Sequence, residues 1–218
     1  MKAPAFEYVR VTDSEHAVRV LAKAPGHARV IAGGQSLGPM LNLRLTRPDQ
    51  LVDIRRCADL RGYVREPDAI VCGAAVTHAE IEDGRVPDQS RGWLRHAARR
   101  IAYRAVRNRG TIGGSLAHAD PAADWLTVLL AIGADVIMRG PEGLRAMRLR
   151  DFVTGPFATA LEPPEIVVGV RVPHSSPHFR LGYHKLAVKG GEFAKAFTVV
   201  AHDGDRAVRA VVGAIEQV

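Results

Sequence analysis

Two pairs of adjacent glycines, about 80 residues apart, constrain this chain more than any other feature. The first lies in Ile31-Ala32-Gly33-Gly34-Gln35-Ser36-Leu37. The second lies in Arg107-Asn108-Arg109-Gly110-Thr111-Ile112-Gly113-Gly114-Ser115-Leu116-Ala117-His118-Ala119-Asp120-Pro121. Each pair sits beside small hydroxyl residues. Glycine lets a backbone turn tightly and approach a ligand closely, and successive backbone N–H groups in such a turn can form an anion-binding nest. Two such loops in one chain imply an anionic group, such as a pyrophosphate, held from both sides.

Familiar glycine-rich patterns do not account for the pair. G-x-G-x-x-G is absent, and no Gly-Lys-Ser/Thr follows either loop. Gly34-Gln35-Ser36-Leu37-Gly38 does fit G-x-S-x-G, the nucleophile elbow of serine hydrolases. That elbow should follow several strands, whereas about one precedes it here. The hydrolase reading on Ser36 also leaves Gly113-Gly114 unexplained, and it stays as an alternative.

Hydrophobic residues make up 47% of 218, enough for a core in one large domain or two small ones. Formal charge is 30 − 23 = +7, with basic residues concentrated from Arg95 to Arg109. Only Trp93 and Tyr103 lie near that cluster, so no stacking platform for nucleic acid accompanies it. A solvated or partner-docking face is expected, with a non-catalytic basic binding module as a further alternative. Cys57 and Cys72 form no CxxC, and a cluster usually takes four thiolates. No signal-peptide core opens the chain, and the apolar stretch from Leu126 to Met138 is interrupted by Asp135 and too short for a membrane span. A cytoplasmic protein is expected. His78, His96 and His118 lack metal-ligand spacing, and no metal site is expected.

Local signals divide the chain. Thr12, with Glu15 three residues on, reads as a capping box opening a helix that Pro25-Gly26 ends. Ala28 to Ala32, Leu51 to Ile54, Ala69 to Ala75, Ala134 to Met138, Ile166 to Val172 and Val208 to Ala214 read as strands. Thr77 to Ile81 begins a helix, and Trp93 to Val106 reads as one continuous helix. Another is expected from Pro121 through Trp125 to Ile132, with Asp120 as its cap. Asp203-Gly204-Asp205 signals a hairpin turn.

The two glycine loops together resemble the FAD-binding subunit of molybdenum hydroxylases, the family of carbon monoxide and xanthine dehydrogenases. The resemblance runs from about residue 3 to the end of the chain. It implies an α+β, two-subdomain FAD-binding fold of the vanillyl-alcohol-oxidase/PCMH type, with subdomains at 1–56 and 57–174. A C-terminal α/β domain then begins at 178 and runs to 218, where it reads as truncated, because family members extend further. Ala32, Gly33, Gly34, Gln35, Ser36 and Leu37 would form one FAD loop, and Thr111, Ile112, Gly113, Gly114 and Ser115 the other. The family often has Asn where Ser115 stands. Asp124 would contact the ribityl or ribose part. His118 is placed near the isoalloxazine by adjacency. Tyr183 and Lys185 match a family Tyr-x-Lys near the flavin.

The implied role is electron transfer, with no catalytic residue on this chain. Electrons would come from two [2Fe–2S] clusters on a small subunit, after substrate is hydroxylated at a molybdopterin centre on a large one, and would leave to an external acceptor. A dimer of heterotrimers is the implied assembly.

Overall fold

The computed structural model of the chain describes residues 2–204 and 208–215. A parallel sheet comes first. Strands β1 (Glu7–Arg10), β2 (Ala28–Ile31) and β3 (Gln50–Asp53) lie in the order β1-β3-β2. The central β3 is buried at all four positions. Parallel neighbours need crossovers, and helices α1 (Ser14–Ala22) and α2 (Leu37–Asn42) lie in the two connections. Ala17 and Val18 of α1 pack into a small core with Val11, Val52, Ile54, Cys57 and Leu60. Because α2 follows the first glycine pair directly, that loop sits at the carboxyl end of β2.

An antiparallel sheet follows. Strands β4 (Tyr63–Arg65), β5 (Ala69–Gly73), β6 (Asp135–Gly140), β7 (Gly143–Arg148) and β10 (Ile166–Pro173) lie in the order β4-β5-β10-β6-β7. Between β5 and β6 run α3 (His78–Glu82), α4 (Trp93–Arg100), α5 (Arg104–Arg107), α6 (Ile112–His118) and α7 (Asp124–Ile132). Between β7 and β10 lie α8 (Leu149–Phe152) and the small pair β8 (Val153–Gly155) and β9 (Ala158–Thr159). The main core joins Ile112, Leu116, Trp125 and Leu129 of the helices to Ile70, Val136, Met138 and Val170 of the sheet. Cys72 is buried in β5, as its apolar neighbours predict, and both cysteines are free.

The third sheet is β11 (Phe179–Leu186), β12 (Ala196–Asp203) and β13 (Arg209–Gly213), antiparallel in that order. β12 alternates strictly, with Phe197, Val199, Ala201 and Asp203 inward. Its helical layer is α7 of the preceding unit. Arg209 caps that helix, donating from Nε to the Ala131 carbonyl at 2.7 Å and from Nη2 to the Ile132 carbonyl at 2.9 Å. Of the expected turn, Asp203 ends β12 and Gly204 follows, while Asp205 lies outside the described residues.

Four local expectations need correction. Asp13, not Thr12, caps α1: its carboxylate accepts His16 N–H at 2.7 Å, a stronger acceptor than the Thr12 hydroxyl, which itself donates to Asp13. Glu15 points away to Arg139 at 2.9 Å. The expected helix from Trp93 to Val106 breaks after Arg100, where Ala102 takes a left-handed φ of 42°. Arg107 Nη1 stabilises the break by donating to the Ile101 and Ala102 carbonyls at 2.9 and 2.8 Å. Pro121 does not start α7, because its carbonyl accepts Ala214 N–H from beyond β13 at 2.9 Å. The helix begins at Asp124, and Asp120 closes a turn onto Ala122 N–H at 2.9 Å rather than capping it. β1 and β4 carry no strand signal strong enough to read in sequence.

Candidate functional site between two glycine loops

The first loop leaves β2 at Ile31 and enters α2 through Ser36. Gly34 has φ of +71°, a conformation that favours glycine. Gly33 is buried because the other loop lies on it: a Cβ there would overlap the Arg109 carbonyl oxygen and crowd Gly110 Cα at 2.9 Å. Ala32 faces Gly114 more loosely, with 4.0 Å between its Cβ and the position a Gly114 Cβ would take. The first glycine pair therefore meets the backbone that leads into the second pair, at Arg109 and Gly110. Among the described residues, the N–H groups of Gly34, Gln35 and Ser36 have no protein acceptor. Free donors of this kind are what an anion-binding nest requires.

The second loop is built differently from the nest that the sequence implied. Most of its N–H groups are already used: Ile112 donates to the Val76 carbonyl at 3.0 Å, Gly113 to Ala74 at 3.0 Å, and Ser115 to Thr111 at 3.0 Å, while Thr111 N–H has no protein acceptor among the described residues. Thr111 Oγ1 accepts Gly114 N–H at 3.1 Å and so caps α6, which leaves its hydroxyl hydrogen to donate elsewhere. Gly113 is needed for contact, since a Cβ would overlap Ala74. This loop is a wall stitched to residues 74–78, and the first loop supplies most of the open donors.

A crevice of about 130 Å³ opens between the loops. Gly33, Ala75, Thr77, Asn108, Arg109 and Thr111 line it, together with Arg55 and Arg61. Neither Arg55 nor Arg61 was marked by the sequence. Thr77 also caps α3 in a capping box: Glu80 N–H donates to Thr77 Oγ1 at 3.2 Å, and Thr77 N–H donates to Glu80 Oε2 at 2.8 Å. The T-x-x-E signature was legible there but unread.

His78 underlies the second loop. Its N–H donates to the Gly110 carbonyl at 2.9 Å, its Nδ1 accepts Trp125 Nε1–H at 3.0 Å, and a Cβ on Gly110 would stand 2.7 Å from its Nε2. Burial, aided by the Arg107 charge, lowers its pKa from 6.5 to about 3. A depressed folded value stabilises the native state above the unfolded pKa and loses that stability as pH falls toward 3. Urea unfolding is therefore expected to show stability falling by up to about 1.4 kcal/mol per pH unit below about pH 6 from this one proton. His78→Gln, which cannot take that proton, should flatten the slope; an unchanged slope would contradict the account.

Asp124, Tyr183 and Lys185 come together as one buried group. Tyr183 Oη donates to Asp124 Oδ1 at 2.9 Å, and Lys185 Nζ donates to Oδ1 and Oδ2 at 3.0 and 2.9 Å. The Asp124 and Lys185 side chains are only 5% and 10% exposed. Burial pushes the Asp124 carboxyl above the usual carboxylate range, against the pull of Lys185 and Tyr183. Burial and Asp124 also push the Tyr183 phenol up, so it remains a donor. Arg100 sits 5.2 Å over the Tyr183 ring, and His96 meets its edge at 5.2 Å. His118, half-buried, lies against Phe157 at 5.2 Å and is not in contact with this group.

Ser36 is exposed, and no histidine bonds its hydroxyl among the described residues, so it lacks the base a nucleophilic serine needs. No group of three His, Cys, Asp or Glu among the described residues is placed to hold a metal ion. No helix among them is long and apolar enough to cross a membrane.

Comparison with known proteins agrees with this geometry. The family described as the FAD binding domain in molybdopterin dehydrogenase matches residues 4–175. The chain is 40% identical over 194 residues to the 6-hydroxypseudooxynicotine dehydrogenase complex subunit alpha of Paenarthrobacter nicotinovorans, covering 89% of this chain and 66% of that one. It is 36% identical to the carbon monoxide dehydrogenase medium chain of Hydrogenophaga pseudoflava, covering 90% and 68%. It thus spans about two thirds of the length of these curated relatives. Among solved structures, the H. pseudoflava carbon monoxide dehydrogenase lacking the Mo-pyranopterin moiety superposes with a TM-score of 0.93 at 34% identity, covering 98% of this chain and 76% of that one. Quinoline 2-oxidoreductase from Pseudomonas putida 86 superposes at 0.90 with 36% identity, covering 100% and 76%. With its two glycine loops apposed inside the matched span, the chain belongs to the FAD-binding domains of molybdopterin dehydrogenases, the flavoprotein component of molybdenum hydroxylases.

Proposed function

We propose that this chain is the FAD-binding electron-transfer subunit of a molybdopterin-dependent hydroxylase, an oxidoreductase. It takes electrons from the [2Fe–2S] clusters of a small subunit and passes them to an external acceptor, while substrate is hydroxylated on a large molybdopterin subunit. The observation that carries the reading is the backbone contact of Gly33 with Arg109 and Gly110, which brings the two loops to one crevice.

A bound flavin supplies one- and two-electron chemistry that no side chain here can. The residues fit it. The free N–H groups of Gly34, Gln35 and Ser36 would hold an anionic oxygen, with Ala32, Gly33, the Ser36 hydroxyl and Leu37 shaping that side. Thr111, Ile112, Gly113, Gly114 and Ser115 would form the opposite wall. Asp124, fixed by Tyr183 and Lys185, would meet the ribityl or ribose hydroxyls, and His118 would stand near the ring. The units 1–56, 57–174 and 178–218 would act as two clasping subdomains and the start of a C-terminal domain, consistent with the three larger sheets being separate. A dimer of heterotrimers is the proposed assembly, and the buried free cysteines fit a reducing cytoplasm.

Relatives are named for nicotine derivatives, carbon monoxide, glyceraldehyde and caffeine. This range fits a substrate chosen on the molybdopterin subunit, not here. The test is metal and flavin analysis of the complex purified from its host through a tag on this chain. About one molybdenum and four irons per FAD is expected. FAD with neither metal would overturn the assignment.

A further inference from the structure

The crevice has a cationic wall that the glycine loops do not explain. Asp53 ends the central strand β3, level with Arg10 of β1 and Ile31 of β2. Its side chain is fully buried. It accepts the Tyr8 hydroxyl and the Arg55 N–H at 2.9 Å. Arg55 Nε donates to both carboxylate oxygens at 3.0 and 3.1 Å, and Nη2 donates to Oδ2 at 2.8 Å and to Tyr8 Oη at 3.0 Å. Burial pushes the Asp53 carboxyl up, but the bonds from Arg55 and Tyr8 outweigh it and hold it below the usual range. The anion that braces Arg55 therefore stays charged. Arg55 Nη1 is left without a partner among the described residues, on a side chain that lines the crevice.

Arg61 is braced more loosely, by one bond from each Nη. Its Nη2 donates to Glu80 Oε1 at 3.1 Å, and its Nη1 to the Arg55 carbonyl at 3.5 Å. Glu80 is itself fixed by the Thr77 capping box. With Arg109, which also lines the crevice, three arginines stand against two carboxylates, so the wall is net positive. A guanidinium already held on one edge loses little freedom when its other edge meets a ligand, and hydrogen bonds from a guanidinium to phosphate are among the strong ones.

The structure assigns to Arg55 and Arg61 the role of a braced clamp on the diphosphate of the bound dinucleotide, with Asp53, Tyr8 and Glu80 as positioning residues. The assignment rests on the reading that FAD occupies this crevice. It adds positive side-chain charge to the backbone donors of the first loop.

The test titrates FAD into flavin-free protein and follows quenching of flavin fluorescence. The proteins are wild type, Arg55→Gln, Arg61→Gln, Asp53→Asn and the surface control Arg150→Gln. Arg55→Gln and Arg61→Gln should each weaken FAD by about 10- to 100-fold and make its affinity less sensitive to salt. Arg150→Gln should match wild type. Riboflavin, which has no phosphate, should bind all the proteins alike. Asp53→Asn should weaken FAD as Arg55→Gln does, and a double variant combining Asp53→Asn with Arg55→Gln should be no worse than either alone. Arg61→Gln tests the clamp even if Asp53→Asn fails to fold. FAD affinity within about twofold of wild type for both arginine variants, or equal losses for FAD and riboflavin, would overturn the clamp. A wild type that takes up no FAD would overturn the flavin reading as well.

Discussion

Gly33→Ala is expected to strip the chain of FAD. The added Cβ would occupy the space of the Arg109 carbonyl oxygen, which is backbone and cannot rotate aside. Relief requires the two loops to part, and the crevice between them is the proposed diphosphate site. Overpacking of this kind costs about 1–3 kcal/mol of stability. The larger effect is on binding, because the free N–H groups of Gly34, Gln35 and Ser36 move away from the opposite wall. A loss of about 100-fold or more in FAD affinity is expected, read by absorbance after desalting. Gly38→Ala is the matched control, because nothing lies within 4 Å of a Cβ there. Equal flavin retention by the two variants would contradict the apposed-loop site.

The second large effect is at Lys185. Lys185→Met removes the only cation hydrogen-bonded to the buried Asp124 carboxylate among the described residues. Removing one member of a buried pair typically costs about 3–5 kcal/mol, because the other charge stays buried. The loss falls on the link between β11 and the start of α7. Its pH dependence has a definite sign. A carboxyl whose folded pKa is raised contributes stability at low pH and loses it as pH rises through the folded value. Losing Lys185 raises that value further. The difference between wild type and variant should therefore be largest at pH 7–8 and shrink toward the carboxylate range, with His78 cancelling between the two proteins. Asp124→Asn in the Lys185→Met background should recover most of the loss. A deficit that stays constant with pH would show that packing of the lysine stem, not charge, was lost.

Much of the site was legible because glycine punctuates sequence. Gly33-Gly34 and Gly113-Gly114 announce two turns, and their apposition follows once β2 and α6 are placed. The distribution of work between them was not legible. Whether a loop N–H is free depends on partners such as Ala74 and Val76, which lie about 40 residues upstream of the second loop. Arg55 and Arg61 were hidden for a similar reason. An Asp-x-Arg step is common, and it becomes a braced clamp only when Tyr8 arrives from another strand. In the fold, the apolar run from Ala69 to Ala75 reads as a strand, and β5 occupies Ala69–Gly73 of it. The exposed β4 and the mostly exposed β1 do not read so, having few apolar residues to alternate. The break after Arg100 and the late start of α7 are tertiary effects, set by Arg107 reaching back to two carbonyls and by Ala214 taking the Pro121 carbonyl.

The most direct test of the central claim is a visible spectrum of this chain after incubation with FAD and desalting. Bands near about 370 and 450 nm at close to one flavin per chain are predicted, since the bound cofactor carries that chromophore. A colourless protein, after incubation with saturating FAD, would contradict the claim that the two loops form its site.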